Sequence, residues 1–199
     1  GRPLVFAAAR LLHLLLLAHL LVGSASRPTL GPSLRATLGS MELEVDLLLR
    51  FSKELHSLNE TEVQALAVTQ LPLQGLPRFH HTAADFTALK LNESLAQLYV
   101  YTQSFKVYVA WLKTAQDRVG MPSKSTGGAS AQLHTLSDRL SASLQQINEE
   151  LPQSPPPPPS FPLVSTTFDG LNVSAQVAQQ LQTFCYWSKQ VLRTLERQF

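Results

Sequence analysis

Few residues in this chain are of types that could perform catalysis or bind a metal ion, and they are scattered along the sequence. Of the six histidines, His56 and His134 lie in different apolar-periodic stretches, and His81 lies four residues before Asp85. Two such ligands are fewer than a zinc site requires. Cys185 and the histidines do not form a recognisable Cys-His nucleophile motif. The sequence also contains neither a G-x-S-x-G motif nor a phosphate-binding loop. The sequence therefore predicts no enzyme, no metal site and no cofactor.

Charged side chains at helical spacing form two candidate recognition strips. The first recurs every four residues near the end of the chain and consists of Lys189, Arg193 and Arg197. The second lies in an earlier stretch and consists of Asp46, Arg50 and Lys53. Cations are also favourable at a helix C-terminus, and charged faces are commonly only solvated. Both strips therefore have a structural interpretation beside the recognition one.

Composition narrows the class of protein and of partner. The 16 basic and 14 acidic residues leave a net charge of +2, and the basic residues are not interleaved with aromatic ones. We therefore predict no nucleic-acid partner. An apolar content of 44% is ordinary for a globular protein. Cys185 is the single cysteine, so no disulfide can form within the chain. Its side chain either is buried as a small apolar residue or forms a disulfide between two chains.

The N-terminal stretch has the pattern of a secretory signal peptide. Arg10 precedes the leucine-rich run Leu11–Val22, and the small residues Gly23–Ser26 follow it. A transmembrane anchor is the alternative, but the run has about 12 residues whereas a membrane span needs about 20. We therefore predict a signal peptide over residues 1–26, a domain over residues 27–199, secretion, and no membrane insertion after the signal is removed.

Three of the four asparagines lie in N-x-S/T sequons, namely Asn59, Asn92 and Asn172. Such sequons accept N-linked glycans in secreted proteins, so they support the prediction of secretion. Asparagine is also a common helix cap, and Asn92 lies at the start of a helical pattern. The three asparagines are therefore candidate glycosylation sites with a structural alternative.

Four stretches have apolar residues at the spacing of one helical face. The first, for example, places Met41, Val45, Leu48 and Phe51 at intervals of four, three and three residues. Such intervals predict amphipathic helices that bury one side. The four predicted helices run over about residues 40–58, 91–119, 130–151 and 174–199.

The three predicted links differ in length. Residues 59–90 and 152–173 form long links, and residues 120–129 form a short, flexible one with three glycines. The proline-rich part of the last link is residues 152–163. Its segment Pro152–Pro162 would span roughly 34 Å as polyproline II, about the length of a helix of 22 residues. A short link joins antiparallel neighbours, and a long link can return the chain along the bundle. We therefore predict an all-α, up-up-down-down four-helix bundle with two long crossover loops.

With Leu76-Pro77-Arg78-Phe79, Leu151-Pro152-Gln153 and Trp187, the chain resembles the interleukin-11 family of interleukin-6-type cytokines. The first crossover and second helix resemble that family without a gap, in Leu76-Pro77-Arg78-Phe79, Ala83, Ala88-Leu89-Lys90-Leu91, Leu95, Leu98, Ser104, Val109 and Trp111-Leu112. Leu151-Pro152-Gln153 and the following prolines are similar to the proline-rich third link. The last 32 residues are similar to the final helix, with Trp187 at the family's tryptophan position. The resemblance in sequence covers Leu76–Phe199. The first helix matches the family only in the pattern of its apolar residues.

The resemblance implies a secreted cytokine, monomeric when free, that binds a specific α-receptor and then recruits a shared signalling receptor. The family's α-receptor surface comprises the end of the first crossover and the end of the last helix. It maps to the Phe79–Asp85 region and to Lys189, Arg193 and Arg197. The family's key arginine falls on Gln190, which implies that Lys189 or Arg193 replaces it.

The resemblance also implies two surfaces for the signalling receptor. The first comprises the exposed faces of helices one and three, with Asp46, Arg50, Lys53 and Arg139. The second centres on Phe168, which occupies the family's tryptophan position at the start of the last helix. Asn172 follows four residues later, where a glycan would be close to that aromatic side chain.

A secreted lipid-binding protein of apolipoprotein type is the alternative function. Its helices would be amphipathic and exchangeable, with lysine and glutamate along the edges of the apolar face. Phenylalanine and tryptophan in the apolar stripes, and the long, short, long order of the links, favour the cytokine. Binding to liposomes distinguishes the two, because a packed bundle should bind little.

Overall fold

The computed structural model describes residues 30–67, 73–79, 83–155 and 160–198. Within these ranges no β-strand occurs, and a short 3-10 helix covers Ala83–Phe86. The α-helices of these ranges are α1 (Leu30–Lys53), α2 (Glu60–Ala67), α3 (Leu91–Arg118), α4 (Lys124–Gln146) and α5 (Thr167–Glu196). The predicted all-α fold is therefore confirmed. The predicted signal peptide lies outside the described residues.

The chain divides into two compact units, Gly1–Ser33 and Leu34–Phe199. Of the first unit, the structure describes residues 30–33, which form the first turn of α1. The helical bundle belongs to the second unit. Among the described helices, none combines the length and the apolar character that crossing a membrane requires.

Contacts of α1 fix the directions of two other helices. Along α1, Glu42 pairs with Arg193 and Asp46 pairs with Lys189, so the numbering on α5 falls as that on α1 rises. The helix α5 is therefore antiparallel to α1. The helix α4 is antiparallel as well, because its early residue Gly128 lies against Phe51, whereas its later residue Arg139 pairs with Glu44.

The helix α3 is parallel to α1. Gln116, near the end of α3, donates a hydrogen bond to the carbonyl oxygen of Leu55, just beyond the end of α1. The same side chain donates to Ser174 in the second turn of α5, and Leu89, just before α3, accepts from Gln198 after the end of α5. The four long helices thus run up, up, down and down, which confirms the predicted topology.

Each long helix directs one apolar face into a common core. On α1 this face continues from Leu34 and Leu38 to Met41, Val45 and Leu48, all fully buried. Burying one such side chain contributes about 1.5–3 kcal/mol, so these faces are the main source of stability. The other helices add fully buried residues: Leu95, Phe105, Val109, Leu112, Leu133, Leu140, Leu144, Val177, Leu181, Phe184, Val191 and Leu195.

The bounds of α1 differ from the prediction of about 40–58. The helix begins ten residues earlier, because Leu34 and Leu38 extend the apolar face across Gly39. Pro32 lies in the first turn, where the missing N–H group costs little. The helix ends at Lys53, and Leu55 is buried just beyond it. Packing against the core thus outweighs the low helix propensity of glycine.

The link between α3 and α4 is shorter than predicted, because α4 begins at Lys124 rather than near Ser130. Gly120 ends α3 with a φ of 72°, a left-handed conformation that glycine adopts without strain. Gly128, predicted to lie in a flexible link, lies inside α4. A Cβ atom there would be 2.5 Å from the ring of Phe51, so this glycine permits close packing of α1 and α4.

The helix α4 ends at Gln146, five residues before the predicted end. Asn148 has a φ of 59°, and its N–H group donates to the carbonyl oxygen of Gln145 at 3.0 Å. The N–H group of Glu149 donates to the carbonyl oxygen of Leu144 at 2.9 Å. These two bonds form a Schellman motif, with asparagine at the position that usually holds glycine.

Aromatic residues anchor both crossover links. Phe79 of the first link lies 5.3 Å from Tyr101 and 5.7 Å from Trp187, measured between ring centroids. Phe161 of the second link stacks on Trp111 at 4.9 Å with an interplanar angle of 11°. Each tryptophan of the chain therefore contacts one crossover. Residues 156–159 of the predicted proline-rich link lie outside the described residues.

Candidate functional site

The last helix begins at Thr167, seven residues before the predicted start, because Thr166 caps it. The Thr166 hydroxyl accepts a hydrogen bond from the N–H group of Asp169 at 3.1 Å, and the Asp169 carboxylate accepts one from the N–H group of Thr166 at 2.9 Å. Hydrogen bonds from the side chain of Thr166 and from nearby backbone lower the pKa of Asp169. The T-x-x-D motif of this capping box is present in the sequence, and it could have predicted where this helix begins.

This cap places Phe168 in the first turn of α5, with 64% of the residue exposed. Leu163, shortly before the helix, is 82% exposed. The opposite side of the turn is packed tightly, since a Cβ atom on Gly170 would lie 2.5 Å from the sulfur of Met121. The start of α5 is therefore fixed against the link between α3 and α4, and two apolar side chains remain at the surface.

A buried polar cluster lies beneath this end of α5 and is centred on Gln116. Its amide nitrogen donates to Ser174 at 2.9 Å and to the carbonyl oxygen of Leu55 at 3.2 Å, and its amide oxygen accepts from Thr126 at 2.5 Å. Gln116 has no exposed surface. Because a buried amide is costly unless it is hydrogen-bonded, this cluster fixes the relative positions of four segments of the bundle.

Two of the three predicted cations of α5 form ion pairs with α1. Lys189 lies 2.5 Å from Asp46, and Arg193 lies 2.6 Å from Glu42. The hydrogen bond and charge of Glu42 raise the pKa of Arg193. Asp46, predicted to belong to the first signalling-receptor surface, thus lies beside Lys189 of the predicted α-receptor surface. The sequence pattern did not reveal this pairing, because 143 residues separate the two partners.

The rest of the predicted α-receptor surface has two different environments. Arg197, just beyond α5, is exposed, and within the described residues it forms no ion pair. Gln190, which replaces the family's arginine, is also exposed, as is Asp85 in the 3-10 helix. Phe79 is half-buried in the aromatic cluster around Trp187, where it anchors the link.

The other predicted charged surface lies on α1 and α4. Arg50 and Lys53 are exposed on α1. Arg139 of α4 forms an ion pair with Glu44, whose carboxyl group is largely buried. Burial raises the pKa of Glu44, and the charge of Arg139 partly opposes this shift. Arg139 therefore joins α4 to α1 as well as contributing charge to the surface.

Two exposed leucines of α1 were not anticipated from the sequence. Leu43 is 68% exposed and Leu47 is 43% exposed, and they lie one helical turn apart. Arg50 follows at the spacing that continues the same face. The signal in the sequence is that both leucines lie outside the apolar stripe of Met41, Val45 and Leu48, so they cannot point into the same core.

The three sequons lie in different structural settings. Asn59 is exposed in the loop before α2, whereas Asn92 lies in the first turn of α3 and Asn172 lies in the second turn of α5. Asn172 is four residues from Phe168 on the same helix, and it accepts a hydrogen bond from Gln176 at 3.3 Å. The predicted proximity of Asn172 and Phe168 is therefore preserved within the longer helix.

The residues with catalytic or metal-binding chemistry remain apart. Cys185 is fully buried, and burial strongly raises the pKa of its thiol, in agreement with the buried alternative. His56 is half-buried after α1, where burial lowers its pKa, and His134 is exposed on α4. His81 lies outside the described residues. Within the described part of the chain, no three histidine, cysteine, aspartate or glutamate side chains form a metal-binding group.

Comparison with known families agrees with the helical bundle and with its crossover links. The sequence model of the family described as Interleukin 11 matches residues 28–199. A comparison with individually curated proteins gives no significant match. The family match spans all four long helices and includes both crossovers. The chain therefore belongs to the interleukin-11 family, a family of cytokines and not of enzymes.

Proposed function

We propose that this protein is a secreted cytokine that binds a specific α-receptor and then recruits a shared signalling receptor of the interleukin-6 family. Membership of the interleukin-11 family supports the class of protein and of partner. The N-terminal pattern and the sequons support secretion and glycosylation. The mechanism is non-covalent: a monomeric bundle with separate binding surfaces brings receptor chains together, which triggers intracellular signalling.

The exposed Phe168 carries most of this proposal. An aromatic side chain that is 64% exposed on a rigidly capped helix is a suitable centre for a binding hot spot. Its burial by a partner would remove apolar surface from water without reordering the backbone. We assign this surface, with the neighbouring Leu163, to the signalling receptor.

The α-receptor surface comprises the 3-10 helix with Asp85 and the end of α5 with Lys189, Arg193 and Arg197. The ion pairs of Lys189 and Arg193 with α1 hold these side chains in fixed positions. Arg197 lacks such a pair within the described residues, so it is the cation most available to an acidic group of the α-receptor.

A second signalling-receptor surface comprises Arg50 and Lys53 of α1 and Arg139 of α4. Leu43 and Leu47 supply an apolar centre next to these charges. An apolar centre with a charged rim is the usual arrangement of a protein interface. Asp46 belongs to the edge of this surface and also to the α-receptor surface, through its pair with Lys189.

The proposal is tested by binding the purified chain to receptor ectodomains. We expect the chain to bind the α-receptor ectodomain alone, and the resulting pair to bind the signalling-receptor ectodomain, as measured by surface plasmon resonance and light scattering. A chain that binds neither ectodomain would contradict the proposal.

The lipid-binding alternative is tested with the same preparation on liposomes. The apolar faces of the four long helices are already buried against one another, so we expect little liposome binding. Strong binding with a gain of helical circular dichroism would favour the apolipoprotein type of function instead.

A further inference from the structure

We propose that Asn59 carries an N-linked oligosaccharide in the secreted protein, and that Asn92 and Asn172 remain unmodified. This inference rests on the secretion that is part of the proposed function. All three asparagines satisfy the sequon pattern, so the sequence alone does not distinguish them. The structure distinguishes them by what the asparagine and the hydroxyl residue of each sequon do in the fold.

The sequon at Asn59 leaves its reactive groups available. Asn59 Oδ1 accepts a hydrogen bond from the N–H group of Glu62 at 3.0 Å, and Asn59 N donates to the Glu62 carboxylate at 2.7 Å. This capping box does not use Asn59 Nδ2, the atom that a glycan modifies. Asn59 and Thr61 are both exposed, and Asn59 lies in a surface loop, the setting expected of an occupied sequon. A glycan on Nδ2 therefore preserves the cap.

The sequon at Asn172 has a structural explanation. Its hydroxyl residue, Ser174, is buried and accepts the hydrogen bond of 2.9 Å from the amide nitrogen of Gln116. Asn172 is half-buried inside α5, and its side-chain oxygen accepts from Gln176. The serine is thus required by the buried polar cluster, and the sequon arises as a by-product of that requirement.

The sequon at Asn92 is also engaged by the fold. Asn92 Nδ2 donates to the Glu149 carboxylate at 3.0 Å, which joins the start of α3 to the segment after α4. Its hydroxyl residue, Ser94, is buried within α3. A sugar on this nitrogen would occupy the space next to Glu149 and compete with the contact between the two segments.

The modification transfers an oligosaccharide from a polyprenyl diphosphate donor to the side-chain amide of Asn59. A bond forms between Nδ2 and the anomeric carbon of the first sugar, and the bond between that carbon and the diphosphate oxygen breaks. The diphosphate leaves with the bonding electron pair, and one amide proton passes to a base of the transferring enzyme. The remaining N–H group and Oδ1 keep the character of an amide.

The test is expression of the full chain in secreting eukaryotic cells, followed by digestion of the secreted protein with an amide-cleaving glycosidase. This digestion converts each modified asparagine to aspartate, which peptide mass spectrometry locates. We expect conversion at residue 59 and none at 92 or 172, together with an electrophoretic shift that corresponds to one glycan. Conversion at 92 or 172, or a secreted chain without conversion at 59, would overturn the inference.

Two variants separate glycosylation from folding. Thr61→Ala removes the sequon but keeps the Asn59 cap, so we expect complete loss of the shift, whereas Thr61→Ser keeps the sequon and should keep the shift. A Thr61→Ala chain that retains the full shift would overturn the inference. Receptor binding by the same preparations tests the proposed function independently. A glycosylated unsubstituted chain that binds no receptor would contradict only that function, and an unglycosylated unsubstituted chain that binds would contradict only this inference.

Discussion

The two ends of α5 have surfaces of opposite character. Near its end, the cations Lys189 and Arg193 are paired with carboxylates of α1 at 2.5 and 2.6 Å. At its start, Phe168 is 64% exposed and has no comparable cover. Two cations of the predicted recognition strip thus form ion pairs within the molecule, whereas the apolar side chain of Phe168 lies at the surface.

This difference suggests that the two ends contribute to binding in different ways. Burial of an aromatic side chain in a partner's pocket gives affinity, whereas charges at the rim mainly affect association rate and selectivity. We therefore expect the start of α5 to tolerate substitution less than its end. Substitutions in the buried polar cluster around Gln116 should lower the free energy of unfolding most, because this cluster holds the start of α5 in place.

The largest expected effect is on folding, from Gln116→Ala. The substitution removes three buried hydrogen bonds and leaves Ser174, Thr126 and the Leu55 carbonyl without that partner. We expect the free energy of unfolding to fall by about 3 kcal/mol, as measured by urea denaturation. Gln145→Ala, on an exposed position of α4, is the control and should change stability by less than about 0.5 kcal/mol. Equal effects of the two substitutions would show that the cluster has no special role.

The next effect concerns the apolar end of α5. Phe168→Ala should weaken binding of the signalling receptor by about 30-fold, or about 2 kcal/mol, because it truncates a proposed hot spot. Affinity for the α-receptor and unfolding in urea should not change, since the side chain is largely exposed. Leu151→Ala removes an exposed apolar side chain after α4 and is the matched control. Equal loss of binding to both receptors, with the fold preserved, would contradict the assignment of this surface.

The charged end of α5 is tested with Arg193→Glu. The reversal should weaken α-receptor binding about tenfold, or about 1.4 kcal/mol, as measured by isothermal titration calorimetry. Lys113→Glu reverses another exposed, paired cation on α3 and serves as the control. The double variant Glu42→Arg with Arg193→Glu restores the ion pair in the opposite orientation. If the double variant also restores affinity, Arg193 acts through its contact with α1 and does not bind the receptor directly.

The smallest effect concerns the cap of α5. Thr166→Ala should lower the free energy of unfolding by about 1 kcal/mol, because the first turn loses its side-chain acceptor. Thr167→Ala, at the next position, is the control. The lowered pKa of Asp169 stabilises the fold above the unfolded-state pKa, and this contribution is lost as pH falls through the folded-state pKa. The Thr166 variant should raise the pKa of Asp169 toward 3.8, as measured by carboxyl NMR titration. An unchanged titration would contradict the role of Thr166.

Much of the fold was predictable because apolar spacing is a local property. The stripes of Met41, Val45 and Leu48 and of their counterparts on the other long helices indicated which sides are buried. The order of long, short and long links indicated the directions of the helices. The helix ends were predicted less well, because they depend on caps such as Thr166 and Asn148 and on close packing such as that of Gly128 against Phe51.

The candidate surfaces were predictable only in part. Phe168 and the exposed cations could be named from the resemblance to the family, and Phe168 is indeed at the surface. The ion pairs of Lys189 and Arg193 could not be predicted, since their partners are more than 140 residues away. Leu43 and Leu47 were not predicted as surface residues, although both lie outside the apolar stripe of Met41, Val45 and Leu48.

The sequence by itself determined the class of this protein: periodic apolar residues specify amphipathic helices, and the link lengths restrict how those helices can be connected. Tertiary structure decided which side chains remain available to a partner. Lys189 and Arg193 form ion pairs with carboxylates of a distant helix, which fix the positions of their side chains, and Ser174 is committed to Gln116. Phe168 and Asn59 remain exposed. The physical reason is that availability depends on neighbours in space, which local spacing along the chain does not specify.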